Sequence, residues 1–247
     1  MVFALLIAAL LGIDLDSESA RLHLETGLAY IQQGLLEKAV EELETTLELD
    51  PDCHEAYLAL GRLRAGMGDP GAAEEKLQRF MEMRPEDWRG PLAMARLRLD
   101  TGASAEARDL ALRAHALNPA EPEIWMELGE AAALCGDTAS ALDWLGRVVV
   151  EEGPLENAAR VRVASLLRAG GRLSQARTLL LPAAEEEDPA AIWGLARVYT
   201  AWEDWMRASD AIRSYLRMEP EGRWADSARM ELERFSEEGL YIPGSMP

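Results

Sequence analysis

HEAYLALGRLRAGMGDPGAAEEKLQRFMEMRP, residues 54–85, holds one complete unit of a pattern that fills most of the chain. Tyr57, Leu60 and Leu63 recur at helical spacing and line one face. Gly68 falls where that helix must end and the chain must turn, because glycine enters the left-handed region without a Cβ clash. Ala73 follows on a second helix, and its small side chain lets two antiparallel helices approach closely. Pro85 closes the unit, since it cannot donate the helical hydrogen bond.

The same markers recur on both sides of this stretch. Glycines stand at Gly34, Gly68, Gly102, Gly136 and Gly171, in steps of 34, 34, 34 and 35. Alanines stand at Ala39, Ala73, Ala107, Ala141, Ala176 and Ala208. Prolines stand at Pro51, Pro85, Pro119 and Pro154; the fifth unit lacks one here and the sixth has Pro220. Each unit therefore reads as helix, turn, helix, break. No unit can bury its apolar face alone, so neighbours must stack.

Within the units the pattern aromatic-x-x-Leu-Gly, then Ala, then Pro resembles the tetratricopeptide repeat family. Tyr57, Leu60, Gly61, Ala73 and Pro85 carry it in unit two, and Trp125, Leu128, Gly129 and Ala141 in unit four. Unit one fits through Gly27, Tyr30, Ala39 and Pro51. Unit three departs, with Pro91 in the aromatic place and Ala95 for the glycine; unit five has Arg160 and Ala164 there, and Pro182 inside its second helix. The resemblance implies an all-α, right-handed α-solenoid of about six antiparallel helix pairs. The repeats are placed at about 20–53, 54–87, 88–121, 122–156, 157–188 and 189–222. A further amphipathic helix, 223–238, carries Trp224, Ala228, Leu232 and Phe235 on one face and reads as a C-terminal cap; 239–247 reads as a tail.

Composition agrees with helices. Alanine and leucine dominate, aromatics are only 6%, and little material is left for a β-sandwich or barrel. The net charge of −19 repels phosphate backbones, which argues against a nucleic-acid partner. Lys38 and Lys76 are the only lysines, so the cationic side chains are nearly all arginine, suited to fixed pairing with carboxylates. Cys53 and Cys135 lie more than two repeats apart, too far to bridge in such a stack.

Residues 1–19 open with an apolar run, Met1 to Ile13, followed by Asp14, Asp16 and Glu18. Thirteen helical residues span about 20 Å, short of the roughly 30 Å hydrocarbon core. The segment reads either as signal-like, with export or membrane association through residues 1–13 slightly favoured over a cytoplasmic location, or as a helix capping the first repeat.

Chemical motifs are sparse. Gly66-Met67-Gly68-Asp69-Pro70-Gly71 matches G-x-G-x-x-G, but it sits at the turn between two helices, with no strand before it. Asp14 to Glu25 partly follows a calcium loop, with Ser19 where the sharp turn needs glycine. Cys53 and His54 lack the second ligand pair a zinc site needs. No nucleophile elbow, P-loop or H-E-x-x-H is present. No enzyme, cofactor or metal site is expected.

In the family that the chain resembles, the first helix of each unit lines a concave groove. The resemblance places Leu58, Arg62, Arg89, Leu92, Arg96 and Leu99 on that groove from units two and three, and Met126, Arg168, Trp193 and Arg197 from units four to six. Arginine recurs at one place in Arg62, Arg96 and Arg197, while apolar residues recur at another. The expected partner is thus a protein or peptide with acidic and apolar anchors. The family's chaperone-tail binders use a Lys/Asn clamp, and no Lys or Asn occupies these places. Glu130 stands one repeat beyond Arg96, so pairing within the stack competes with ligand binding. The expected function is a non-catalytic protein–protein interaction scaffold; the alternative is a structural or assembly subunit of an envelope complex tethered by the apolar N-terminus.

Overall fold

A computed structural model describes residues 15–151 and 153–240. Among these residues there are thirteen α-helices and no strand. They run α1 (Leu15–Gln32), α2 (Leu36–Leu49), α3 (His54–Gly66), α4 (Pro70–Met83), α5 (Arg89–Asp100), α6 (Ser104–Leu117) and α7 (Pro122–Leu134). Then follow α8 (Thr138–Val150), α9 (Glu156–Ala169), α10 (Leu173–Glu185), α11 (Pro189–Ala201), α12 (Trp205–Met218) and α13 (Ala225–Glu237). The chain divides between Glu127 and Leu128 into two compact units. The first helix begins at Leu15, inside the segment assigned to 1–19, so Asp16 and Glu18 already belong to it. The apolar run itself lies outside the described residues.

The recurrent glycines do what their spacing predicts. Gly34, Gly68, Gly102, Gly136 and Gly171 all lie between φ 73° and 81°, ending the first helix of each pair. The following amide then reaches back into the helix, as in Asp69 N to Arg64 O at 2.9 Å. At the equivalent turn of the sixth pair Glu203 takes φ 60° and the same bond forms, Asp204 N to Tyr199 O at 3.0 Å. Asp69, Asp137 and Asp204 also cap the next helix by accepting from an amide three residues on, at 3.1 Å each.

The two helices of a pair meet through a small residue opposed by a leucine. A Cβ built on Gly61 would lie 2.6 Å from Leu77 Cγ, and one on Gly129 would lie 2.5 Å from Leu145 Cγ. Gly27 stands in the same relation to Leu43 at 2.9 Å. These leucines are at most 1% exposed, and burying each contributes about 1.5–3 kcal/mol. In the third pair the glycine place is Ala95 and the leucine place is Ala111, both fully buried. A larger residue on one helix is thus balanced by a smaller one on the other. The recurrent alanines, Ala39 through Ala208, are all fully buried as well.

Helix α13 packs on α12. Ala228 and Phe235 join Trp193, Ile212 and Tyr215 in one core, with Trp205 and Trp224 partly buried against it. Trp205 meets Phe235 edge-on at 5.3 Å, while Trp202 stays exposed with Arg177 over its ring. The tryptophans flanking the last turn therefore have different fates.

Two stability outcomes follow from these contacts. Gly129→Val forces the helices apart and should cost about 1–3 kcal/mol in urea unfolding, with part of the loss recovered when Leu145→Ala is added. Glu203→Gly relieves a left-handed non-glycine residue and should stabilise the protein by up to about 1 kcal/mol, whereas Gly68→Ala should destabilise it by a similar amount.

Candidate partner-binding site

In the first unit, helices α1, α3 and α5 present their sides to a common surface, and inter-repeat ion pairs run across it. Arg89 forks onto Glu55 at 3.0 and 3.2 Å and onto Asp87 at 2.7 Å. The register explains the first pair: the two residues hold the same place in successive repeats. Hydrogen bonds that Arg89 donates to Asp87 and then to Glu55 raise its pKa, while Arg89 lowers that of Asp87. Arg96 is held by Glu127 at 2.6 Å and Glu123 at 2.9 Å. Burial opposes its charge, but these carboxylates more than offset that and raise its pKa. Arg89 and Arg96, both expected at the partner groove, each carry a bridge to a neighbouring repeat and remain partly exposed. Glu130 pairs with Arg162 of the following repeat.

Arg62 differs. Among the described residues it makes no ion pair and is exposed. Desolvation by the surrounding side chains, then the like charge of Arg96, lowers its pKa. It borders an open cleft of about 430 Å³ lined by Leu28 and Ile31 of α1, Leu36 of α2, and Leu58, Ala59 and Leu63 of α3. Leu28 is 41% exposed there, an uncovered apolar side chain at a groove place. Glu55 and Arg89 close one edge. Of the other sequence candidates, Leu58 is buried in the cleft wall, Leu92 is fully buried and presents no surface, and Leu99 and Met126 are half-buried.

The second unit brings Arg168 of α9 together with Trp193 and Arg197 of α11 around a smaller cavity of about 180 Å³. Trp224, which the sequence placed only in the terminal cap, lines it too and stacks on Trp193 at 6.5 Å. It lies beyond the last repeat, so no repeat register could have pointed to it. Arg197 lies 5.8 Å from the Trp193 ring centroid.

The remaining sequence motifs fall on helices and the turns between them. Gly66 to Gly71 forms the turn between α3 and α4, preceded by helix. From Leu15 onward the calcium-like stretch is helix, which straightens the loop that coordination needs. Among the described residues no group of three or more metal-ligating side chains converges. Burial raises the Cys53 thiol pKa, the reverse of what activates a nucleophile.

Comparison with known proteins places this architecture. A tetratricopeptide repeat family model matches residues 6–52, 24–87, 58–114 and 92–154. Among solved structures, Pseudomonas aeruginosa PilF is 20% identical, with 90% of this chain and 99% of that one covered and a TM-score of 0.71. PilW, described as a type IV pilus biogenesis factor, is 15% identical over 85% of this chain and 98% of its own, with a TM-score of 0.75. The Cut9–Hcn1 complex of the APC/C is 18% identical, with a TM-score of 0.78 over 90% of this chain and 44% of that one. At these identities the likenesses show the fold. No curated protein sequence matches the chain. With the family model covering more than half of its length, this all-α solenoid of helix pairs belongs to the tetratricopeptide repeat family.

Proposed function

We propose that the chain is a non-catalytic adaptor that binds a segment of a partner protein along the first helices of its repeats. The observation that carries this reading is the cleft of the first unit. It exposes Leu28 beside Arg62, which forms no ion pair among the described residues although Glu123 and Glu55 act on its charge from a distance, in a chain of net charge −19. An amphipathic segment with an apolar anchor and an acidic neighbour matches both features. Arg89 and Arg96, already bridged, hold adjacent repeats in register instead.

A tagged pull-down from source-cell extract with mass spectrometry tests this. Arg62→Glu and Leu28→Asp should each abolish capture of a partner that the parent retains, with circular dichroism unchanged. Arg96→Ala should instead lower stability by up to about 2 kcal/mol, because two partly exposed pairs, to Glu123 and Glu127, are lost. Equal capture by parent and Arg62→Glu would reject the cleft as the binding site.

A second reading, a subunit of an envelope assembly, draws on the apolar run Met1 to Ile13 and on the likeness to a pilus biogenesis factor. Among the described residues no helix is long and apolar enough to cross a membrane. On this reading, full-length protein should sediment with membranes and a variant lacking residues 1–13 should not. That deletion leaves helix α1 intact. A full-length protein found wholly in the supernatant would reject it.

A further inference from the structure

Among the described residues, Arg168 and Arg197 make neither an ion pair nor a hydrogen bond with any side chain, although the chain carries 44 acidic residues. Arg89, Arg96 and Arg162 all have carboxylates from a neighbouring repeat. The two free guanidiniums line the same cavities and feel each other's charge. Burial first, and then the charge of Arg197, lowers the Arg168 pKa. Two cations held together without a counter-charge constitute a standing electrostatic cost that a bound anion removes.

The surroundings specify which anion. On one side of the pair is the 180 Å³ cavity, walled by Val161, Trp193, Val198 and Trp224 with Ser165 as the sole hydroxyl. On the other side a second cavity of about 450 Å³ opens against α13, reaching Thr200, Ser227 and Met230. Its one carboxylate, Glu231, is engaged by Arg234 at 2.8 Å. Two guanidiniums with Val161, Trp193, Val198 and Trp224 beside them suit a carboxylate next to an aliphatic or aromatic side chain. Space on both sides of the arginines suits a chain that passes through rather than one that ends there.

We infer that the second unit holds a carboxylate subsite: Arg168 and Arg197 together grip a Glu or Asp side chain within a bound peptide, and the adjacent apolar residue enters the cavity beside Trp193 and Trp224. This rests on the groove-binding reading above and names the chemistry of its second anchor. The ligand is therefore an internal acidic–apolar motif.

The test uses the full chain and fluorescein-labelled hexapeptide pools, acetylated and amidated at their ends. The third residue is Glu in one pool and Gln in the other, followed in both by an equal mixture of Leu, Ile and Phe. Fluorescence anisotropy should show the Glu pool bound about tenfold more tightly than the Gln pool. Arg168→Gln/Arg197→Gln should erase that preference with circular dichroism unchanged, while Arg108→Gln, on the exposed side of α6, should leave it intact. Equal binding of both pools, or a Glu preference that survives the double substitution, overturns the subsite but leaves groove binding standing. A Gln-pool variant with a free C-terminus that binds more tightly than the amidated Glu pool overturns the internal motif in favour of a terminal carboxylate. If no pool binds while the parent still captures an Arg62-dependent partner, the subsite alone falls; if that capture also fails, both readings fall.

Discussion

The distance at which two antiparallel helices can approach governs the rest of this structure. Gly27, Gly61 and Gly129 remove a Cβ where a leucine of the partner helix must enter, and the third pair reaches the same end with two buried alanines. Every pair keeps at least one small residue at this contact, with Ala164 facing Leu180 in the fifth and Ala196 facing Ile212 in the sixth, so all of them can approach closely despite their different sequences. Equivalent pairs stack with a regular register, and that register brings side chains one repeat apart next to each other.

That adjacency sorts the arginines. A guanidinium at one place finds a carboxylate when a neighbouring repeat supplies one at the facing place, as Arg89 finds Glu55 of the repeat before and Arg96 finds Glu123 of the repeat after. Such partly exposed pairs contribute modestly to stability, typically about 0–1 kcal/mol each. Their larger effect is to neutralise those cations where they stand. The functional distinction between arginines in this protein is set by their neighbours in space, not by their place in the repeat.

This division also explains how far the sequence could be read. The helix order, the left-handed glycine turns and the terminal helix were legible because each rests on local chemistry repeated several times. The site was less legible. Leu92 occupies a groove place by count yet is fully buried, and Arg96 occupies the same place as Arg62 and Arg197 yet is bridged twice. Whether a groove-facing arginine is free depends on residues about thirty positions away, across the stack. Trp224 joins the second cavity only because α13 folds back onto the final pair, a tertiary event with no repeat to announce it.

The imbalance of charge has a kinetic consequence. With 44 acidic and 25 basic residues, and several of the latter neutralised in bridges, the field felt by an approaching acidic segment is repulsive until it comes within reach of a free guanidinium. Beyond a Debye length, about 10 Å at 0.1 M salt, that repulsion is screened. Added salt therefore acts in opposite directions on the two halves of the binding reaction, speeding encounter by muting the long-range field while hastening release by weakening the short-range contact. An acidic partner of this protein meets its barrier on the way in, the reverse of the electrostatic steering that usually draws charged partners together.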